Sequence, residues 1–310
     1  MLNWLVIGIG DITRKRVIPA IQSEPRSVLY GVVTRDPAKA QAWPGTLAWT
    51  ALREALQDPA IDAVYVASPV VFHAEHTIAA LEAGKHVLCE KPVGMNYAQA
   101  KSMADAARTS GRLFGVAFYR RLYPKLIRAK RLIEDGAIGQ PVLAWACMQG
   151  WLESEARGWL RDPAMAGAGP IFDTASHRID AFNFLFGKPA EATALLSNVV
   201  HKFGVEDSAT VTIDYESGAR GIVDARWNSR IVRDEFRVIG TEGELSLTPL
   251  NGPELRCRDQ VEMLPTHANV HYPIVENFAN AALNGAPLTC PGDEAIITDW
   301  VTERARRPSR

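Results

Sequence analysis

The sequence predicts an α/β first half followed by an α+β second half, in two domains of one 310-residue chain. Two observations carry this. Up to about Phe118, short apolar runs alternate with stretches of helical period, the pattern of a parallel sheet covered on both faces. In the second half, apolar and polar residues alternate one by one between glycine-containing turns, the pattern of strands that keep one face exposed.

In the first half, strands are expected at Leu2–Ile7, Val28–Val33, Ala63–Ala67, His86–Cys89 and Leu113–Phe118. Val64-Tyr65-Val66-Ala67 is apolar throughout, as burial on two faces requires. Between the third and fourth of these strands, Ala74, Ile78 and Leu81 share one helical face, and Gly84 stands where a left-handed C-terminal cap is needed. A boundary is expected at Phe118–Pro124, giving a first domain over 1–119 and a second over 120–310. In the second domain a helix is predicted over Ile171–Phe186. Ala209, Val211, Ile213 and Tyr215 then alternate with polar residues up to the Glu216-Ser217-Gly218 turn, and Phe236 and Val238 alternate up to Thr241-Glu242-Gly243. These alternations predict a mostly antiparallel open sheet.

Composition narrows the function. Thirty-four basic against thirty-five acidic residues give a net charge of −1, which excludes a field that draws nucleic acid or an anionic membrane and points to a small-molecule partner. The four cysteines, Cys89, Cys147, Cys257 and Cys290, form no CxxC pair, as expected of reduced thiols in the cytoplasm. The apolar start from Leu2 to Ile9 lacks a basic region before it and reads as a buried strand, and no run is long enough to span a membrane. No metal site is expected, since His73 and His76 form an HxxH without the glutamate of a zinc motif. The Arg-rich end from Arg304 to Arg310 reads as a solvated terminus.

Gly8-Ile9-Gly10-Asp11-Ile12-Thr13 follows the first strand and opens a helix, the context of a Rossmann dinucleotide site: the first glycine turns the chain and the second admits a pyrophosphate to the backbone. Gly8, Ile9, Gly10, Asp11 and Ile12 are therefore candidate cofactor contacts. Thr13 stands where the motif has its third glycine and should pack less closely. After the second strand, Thr34-Arg35-Asp36-Pro37 offers no acidic residue at the strand tip for a ribose hydroxyl. Arg35 suits a 2′-phosphate and Thr34 adds a hydroxyl, so NADP is preferred, with NAD open. Asp36 reads as the N-cap of a helix with Pro37 at its first position.

Two further segments carry chemistry: Ala83-Gly84-Lys85-His86-Val87-Leu88-Cys89-Glu90-Lys91-Pro92 and Asp173-Thr174-Ala175-Ser176-His177. Four residues apart on a helix, Asp173 and His177 share a face, and an imidazole titrates near neutral pH. The chain resembles the glucose-fructose oxidoreductase/inositol dehydrogenase/MocA (Gfo/Idh/MocA) family over nearly its whole length. The carrying features are the Glu-Lys-Pro string, the Ala166-Gly167-Ala168-Gly169 loop, the Asp173–Asp180 helix, Phe118-Tyr119-Arg120-Arg121, Gly136-Ala137-Ile138-Gly139 and Gly240-Thr241-Glu242-Gly243.

The resemblance implies that Lys91 is catalytic, that a cis peptide precedes Pro92, that His177 is the general base in oxidation and acid in reduction, and that Asp173 binds a substrate hydroxyl or orients the imidazole. It implies cofactor contacts from Ser68, Pro69, His73, Glu90 and Lys91. The sequence departs from the family at Val70, where a polar Asn is usual, at Ala168 in the glycine run and at Ala175 in the helix. Arg121, Trp151, Trp159 and Arg161 are candidate walls of a sugar pocket, the tryptophans having a core or interface reading beside it. The Gly150–Gly169 stretch is either a loop that closes over substrate or an ordinary connection. Residues and resemblance together imply an NAD(P)-dependent oxidoreductase moving hydride between the nicotinamide and a carbon of a sugar, sugar derivative or cyclitol. An NAD-dependent glycoside hydrolase and a non-catalytic sugar sensor are the alternatives. Relatives associate through the second-domain sheet, so a homodimer or homotetramer is expected.

Overall fold

The computed structural model describes residues 1–153 and 158–307. Contacts divide these into two compact units, one of Met1–Tyr119 with His267–Ile296, the other of Arg120–Thr266 with the residues from Ile297 onward.

The first unit is built on six parallel strands, β1 Leu2–Ile7, β2 Ser27–Val33, β3 Leu47–Trp49, β4 Ala63–Val66, β5 His86–Cys89 and β6 Phe114–Val116. They lie in the order β3-β2-β1-β4-β5-β6, so the order reverses between β1 and β4 and a crevice opens at their carboxyl ends. Four of the strands expected from sequence recur within a residue. The fifth, expected over Leu113–Phe118, is shorter, because the Phe118 N–H already turns back to the Val116 carbonyl. β3 was not expected: three largely exposed residues at a sheet edge have too little apolar pattern to register. Its Trp49 ring lies where a side chain at Gly31 would stand, so a close approach requires that glycine.

The second domain expected over 120–310 differs from the second unit by one segment. Residues 267–296 return to the parallel sheet, where the helix Tyr272–Asn284 buries Ile274, Val275 and Phe278. The Phe278 ring lies 5.2 Å from that of Trp4 on β1, and a side chain on Gly115 would press on it. Burying Phe278 contributes about 2–3 kcal/mol, enough to decide where the helix docks.

The second unit carries eight strands, β7 Pro141–Trp151, β8 Pro189–Ser197, β9 Ser208–Tyr215, β10 Arg220–Arg226, β11 Asn228–Gly240, β12 Glu244–Ser246, β13 Glu254–Cys257 and β14 Gln260–Met263. Their order is β14-β13-β12-β11-β7-β10-β9-β8, and every pair is antiparallel except β7 with β10. Ala209, Val211, Ile213 and Tyr215 face inward as their alternation predicts, and Phe236 of β11 meets Phe182 of the helix Ser176–Phe186 at 5.0 Å between centroids. Beneath this sheet the Lys125 ammonium donates to the carbonyls of Leu247 and Pro249, and burial pulls its pKa down to about 8. Among the described residues no helix is long and apolar enough to cross a membrane. Residues 154–157 of the Gly150–Gly169 stretch and residues 308–310 of the Arg-rich end lie outside the described residues.

Candidate active site

The candidate residues fall in both units, and each set is built locally. In the first, the helix that opens at Asp11 follows directly on the β1 turn, with a π-helical section at Thr13–Val17. Gly8 has φ +91°, and a Cβ there would lie 2.7 Å from the Ala67 carbonyl oxygen beyond β4, so only glycine lets the two strand ends approach. Around Gly10 a would-be Cβ meets nothing nearer than Thr13 Oγ1 at 4.0 Å. That open backbone at a helix start fits a dinucleotide pyrophosphate. Thr13, which stands in place of the motif's third glycine, is fully buried and ties the loop together: its hydroxyl receives the Gly10 N–H at 2.7 Å and lies 3.0 Å from the carbonyls of Gly8 and Gly10. Ile9 is buried, whereas Asp11 and Ile12 are exposed, Asp11 pairing with Lys15 at 2.9 Å.

At the end of β2, Thr34 is buried and Arg35 exposed. The Asp36 carboxylate accepts the Ala38 N–H at 3.1 Å as an N-cap, in line with its sequence reading, so the one acid near the strand tip is already engaged by the backbone.

The Lys91–Pro92 peptide is cis. It follows β5, beside a compact set of buried polar groups. Glu90 Oε1 accepts the Tyr65 hydroxyl at 2.8 Å and lies 3.3 Å from His271 Nε2, while Oε2 accepts the Lys91 backbone N–H at 3.3 Å. Burial pushes the Glu90 carboxyl up, but His271, Lys91 and Tyr65 together outweigh it and hold the group below its ordinary value, ionised at neutral pH. His73, expected to touch the cofactor, is 1% exposed, with Nδ1 2.9 Å from the Pro92 carbonyl and Nε2 2.8 Å from that of Ser68. It therefore clamps the Lys91–Pro92 turn to the loop after β4 and presents no free nitrogen to a ligand. Burial holds its pKa below the usual value. The neighbouring Ser68 hydroxyl meets His76 Nδ1 at 3.0 Å, and Pro69 is partly exposed at the mouth of the loop.

Sequence reasoning missed Tyr65 and His271. A hydroxyl within the apolar run Val64-Tyr65-Val66 needs a buried partner, which is a signal that can be read. Nothing local distinguishes His271.

In the second unit, the helix predicted over Ile171–Phe186 is present, but its first five residues, Ile171–Ala175, are π-helical before Ser176–Phe186 continues as α. Widened turns free backbone carbonyls, and here hydroxyls take them up: Thr174 donates to Pro170 O at 3.1 Å and Ser176 to Phe172 O at 2.6 Å. Asp173 stands in the π section and His177, buried, one residue into the α section. At the start, the Glu206 carboxylate receives the N–H groups of Gly169 and Ile171 at 2.9 and 3.2 Å. A Cβ on Gly169 would sit 2.1 Å from the Glu206 carbonyl oxygen, so this glycine is sterically required. Ala168 and Ala175, which replace glycines of the resembled family, are buried without disturbing either contact.

Asp173 and Thr174 line a cleft of about 300 Å³ together with Trp151, Glu153, Arg226 and Trp227. Of the expected pocket walls, Trp151 takes part, its ring faced by the Arg230 guanidinium at 4.2 Å and by His201 at 4.6 Å. Arg226 was missed; it is held bidentate by Asp224 two residues before it. Trp159 is 42% exposed, and Arg161 lies over the Phe203 ring at 4.8 Å, beside an apolar cluster of Leu160, Ala166, Val205 and Trp227. Arg121 is 3% exposed, with Nη2 and Nε 2.7 and 3.0 Å from the Asp180 carboxylate, a buried pair that supports the Ser176–Phe186 helix rather than lining the cleft.

Comparison with known proteins agrees with this architecture. Residues 2–118 match the family model described as an oxidoreductase family with an NAD-binding Rossmann fold, and residues 126–246 match the GFO/IDH/MocA C-terminal domain. The chain is 30% identical over 308 residues to 1,5-anhydro-D-fructose reductase of Ensifer adhaerens, covering 96% of this chain and 92% of that protein. It is 31% identical over 266 residues to scyllo-inositol 2-dehydrogenase (NAD(+)) of Bacillus subtilis, covering 79% and 73%. A structure of levoglucosan dehydrogenase in complex with NADH superposes with a TM-score of 0.89 at 25% identity, over 98% of this chain and 95% of that one. With two family models spanning most of its length and a relative matched nearly end to end, the chain belongs to the Gfo/Idh/MocA family, as an oxidoreductase acting on CH–OH groups through an N-terminal NAD-binding domain.

Proposed function

We propose that the protein reduces the ketone of a neutral sugar derivative, of the 1,5-anhydroketose type, with NADPH preferred over NADH. The observation that carries this reading is the cleft in which Asp173 stands among Trp151, Trp227, Glu153 and Arg226. Aromatic faces suit the C–H faces of a pyranose ring, and the acidic side chains accept its hydroxyls. Arg226, the guanidinium that lines it among the described residues, is paired with Asp224, which favours a neutral sugar over an anionic one. The likeness to the anhydrofructose reductase supports the same substrate class.

When bound, the nicotinamide supplies the hydride. Lys91 donates a hydrogen bond to the carbonyl oxygen as negative charge grows on it, and His177 delivers the proton that completes the alcohol. Asp173 holds an adjacent substrate hydroxyl. Gly8, Gly10 and the helix start at Asp11 and Ile12 receive the pyrophosphate, flanked by Ile9, Ser68, Pro69 and the Glu90–Lys91 turn. Arg35 and Thr34 hold the adenosine 2′-phosphate, a role favoured by the engagement of Asp36 as an N-cap. His73 acts behind the loop. Trp159 and Arg161 are reserved for the outer rim. Self-association through the second-unit sheet completes the reading, since Leu195, Ile231 and Val232 expose apolar side chains there. The four free cysteines suit a cytoplasmic enzyme.

The test is nicotinamide absorbance with 1,5-anhydro-D-fructose, levoglucosan, aldoses and inositols, using both cofactors in both directions. Turnover with NADPH and an anhydroketose, lost about 10²- to 10⁴-fold in Lys91→Ala and His177→Ala, is expected. Arg35→Ala should cost about 1–3 kcal/mol of NADPH affinity and leave NADH nearly unchanged. Release of sugar product without net absorbance change would replace the reading by glycoside hydrolysis.

A further inference from the structure

Directly before Lys91, three chain segments distant in sequence meet on one carboxylate. Tyr65 comes from β4, Glu90 from the end of β5, and His271 from the residue before the helix Tyr272–Asn284. Tyr65 is fully buried, His271 is 2% exposed and Glu90 is buried. His271 Nδ1 has no hydrogen-bond partner among the described residues, and its ring packs against Tyr119 at 4.6 Å. Nε2 is therefore the nitrogen that must carry hydrogen, because a bare lone pair facing an ionised carboxylate would repel it. A leucine would fill the same volume without burying an unsatisfied nitrogen. What the histidine adds is one N–H aimed at Glu90.

We propose that His271 is a positioning residue for Lys91 that acts through Glu90: its Nε2–H, with the Tyr65 hydroxyl, fixes the carboxylate whose other oxygen receives the Lys91 backbone N–H. The assignment rests on the catalytic reading of Lys91. Charge couples the groups as well as geometry does. Against the effect of burial, His271 and Lys91 both favour the ionised form of Glu90. The other titratable groups within this electrostatic neighbourhood are His73, Tyr119 and Cys89. His271 and Tyr65 fix the orientation of the carboxylate, and loss of the His271 N–H leaves it freer to turn.

The test reads the Lys91 amine itself and needs no sugar. Folded protein at pH 8 is treated with a trace of acetic anhydride, which attacks only unprotonated amine, and acetylation of the Lys91 peptide is followed by mass spectrometry. Glu90→Gln removes the neighbouring anion, so Lys91 should acetylate roughly three- to tenfold faster than in the wild type. His271→Leu leaves the carboxylate charged and held only by the Tyr65 hydroxyl and the Lys91 backbone N–H, so Lys91 should acetylate more slowly by a similar factor. His271→Gln, which keeps an N–H donor, should restore the wild-type rate within roughly twofold. Should His271→Leu fail to fold by circular dichroism, His271→Met takes its place.

Opposite directions for the Glu90 and His271 variants support the proposal, since simple loosening of the turn would speed both. Rates that are unchanged, or that rise together, overturn it. In turnover assays His271→Leu should lower kcat more than it raises KM. Silence of the wild type across the sugar panel would sink the activity reading while leaving the labelling result to judge His271.

Discussion

The Glu90–Lys91–Pro92 turn and the Asp173–His177 helix carry the two sets of candidate reacting groups, and they are held by different physics. The turn is fixed by buried side chains around a charge: Tyr65 and His271 on Glu90, and His73 on the Pro92 carbonyl. The helix is fixed by backbone fit: Gly169 against the Glu206 carbonyl, with hydroxyls closing a widened turn. A dry carboxylate with hydrogen-bonded partners is sensitive to loss of charge at constant volume. A backbone contact with no room for a Cβ is sensitive to added volume at constant charge.

This contrast can be broken by isosteric and steric changes in the two places. The largest effect is expected for Glu90→Gln, which leaves His271 and Tyr65 facing an amide in a dry site and should cost about 3 kcal/mol in denaturant unfolding at pH 7. Because the folded carboxyl lies below its ordinary pKa of 4.5, the wild-type advantage is fully present above that pH and fades as the pH falls through the lowered folded value. Gly169→Ala comes next, at about 2–3 kcal/mol, since a Cβ 2.1 Å from a main-chain oxygen forces the loop or the helix to move. A cost below about 0.5 kcal/mol would mean that the second region is not held by fit.

A buried cation away from both regions gives a third reference. Lys125 is deprotonated more easily folded than unfolded, so the unfolded state binds more protons between about pH 8 and its ordinary value of 10.5, and stability should rise with pH across that window. Lys125→Met should flatten this rise, by about 1–2 kcal/mol in urea titrations at pH 7 and pH 10. Thr13→Val, which removes the hydroxyl linking Gly8 and Gly10, should cost about 1 kcal/mol and weaken dinucleotide binding measured by fluorescence. The smallest effect is expected at Glu206→Gln. Its amide oxygen still accepts from Gly169 and Ile171, and burial raises the pKa of the native carboxyl, so losing the charge should cost less than about 0.5 kcal/mol. Equal costs at Glu90 and Glu206 would erase the distinction between the two regions.

Much of the molecule was legible in the chain because its signals are local. The Gly8–Gly10 turn between a strand and a helix, the alternation of Ala209 to Tyr215 and the cap at Asp36 each depend on neighbours within a few residues. The resemblance carried by Glu90-Lys91-Pro92 added the family and the cis peptide. Where the signal is weak or the partner distant, reading stopped. β3 is too short and exposed to show a period, and the π section beginning at Ile171 differs from an α turn only in how its carbonyls are taken up. Arg121 carries the charge and position of a pocket residue, yet its partner Asp180, fifty-nine residues away, makes it a buried brace.

By itself, then, the sequence determined the order and type of most elements and the nucleotide-binding character of the first half, because periodicity, turn chemistry and motif spacing are properties of contiguous chain. Tertiary structure alone decided that residues 267–296 rejoin the parallel sheet, that Tyr65 and His271 meet on Glu90, and that Glu206 caps the Asp173 helix. His271 and Glu90 are 181 residues apart. No local preference encodes such a pairing; it exists only once burial of Phe278 and its neighbours against β1 and β6 has brought the segment there, after which the desolvated carboxylate takes the His271 N–H.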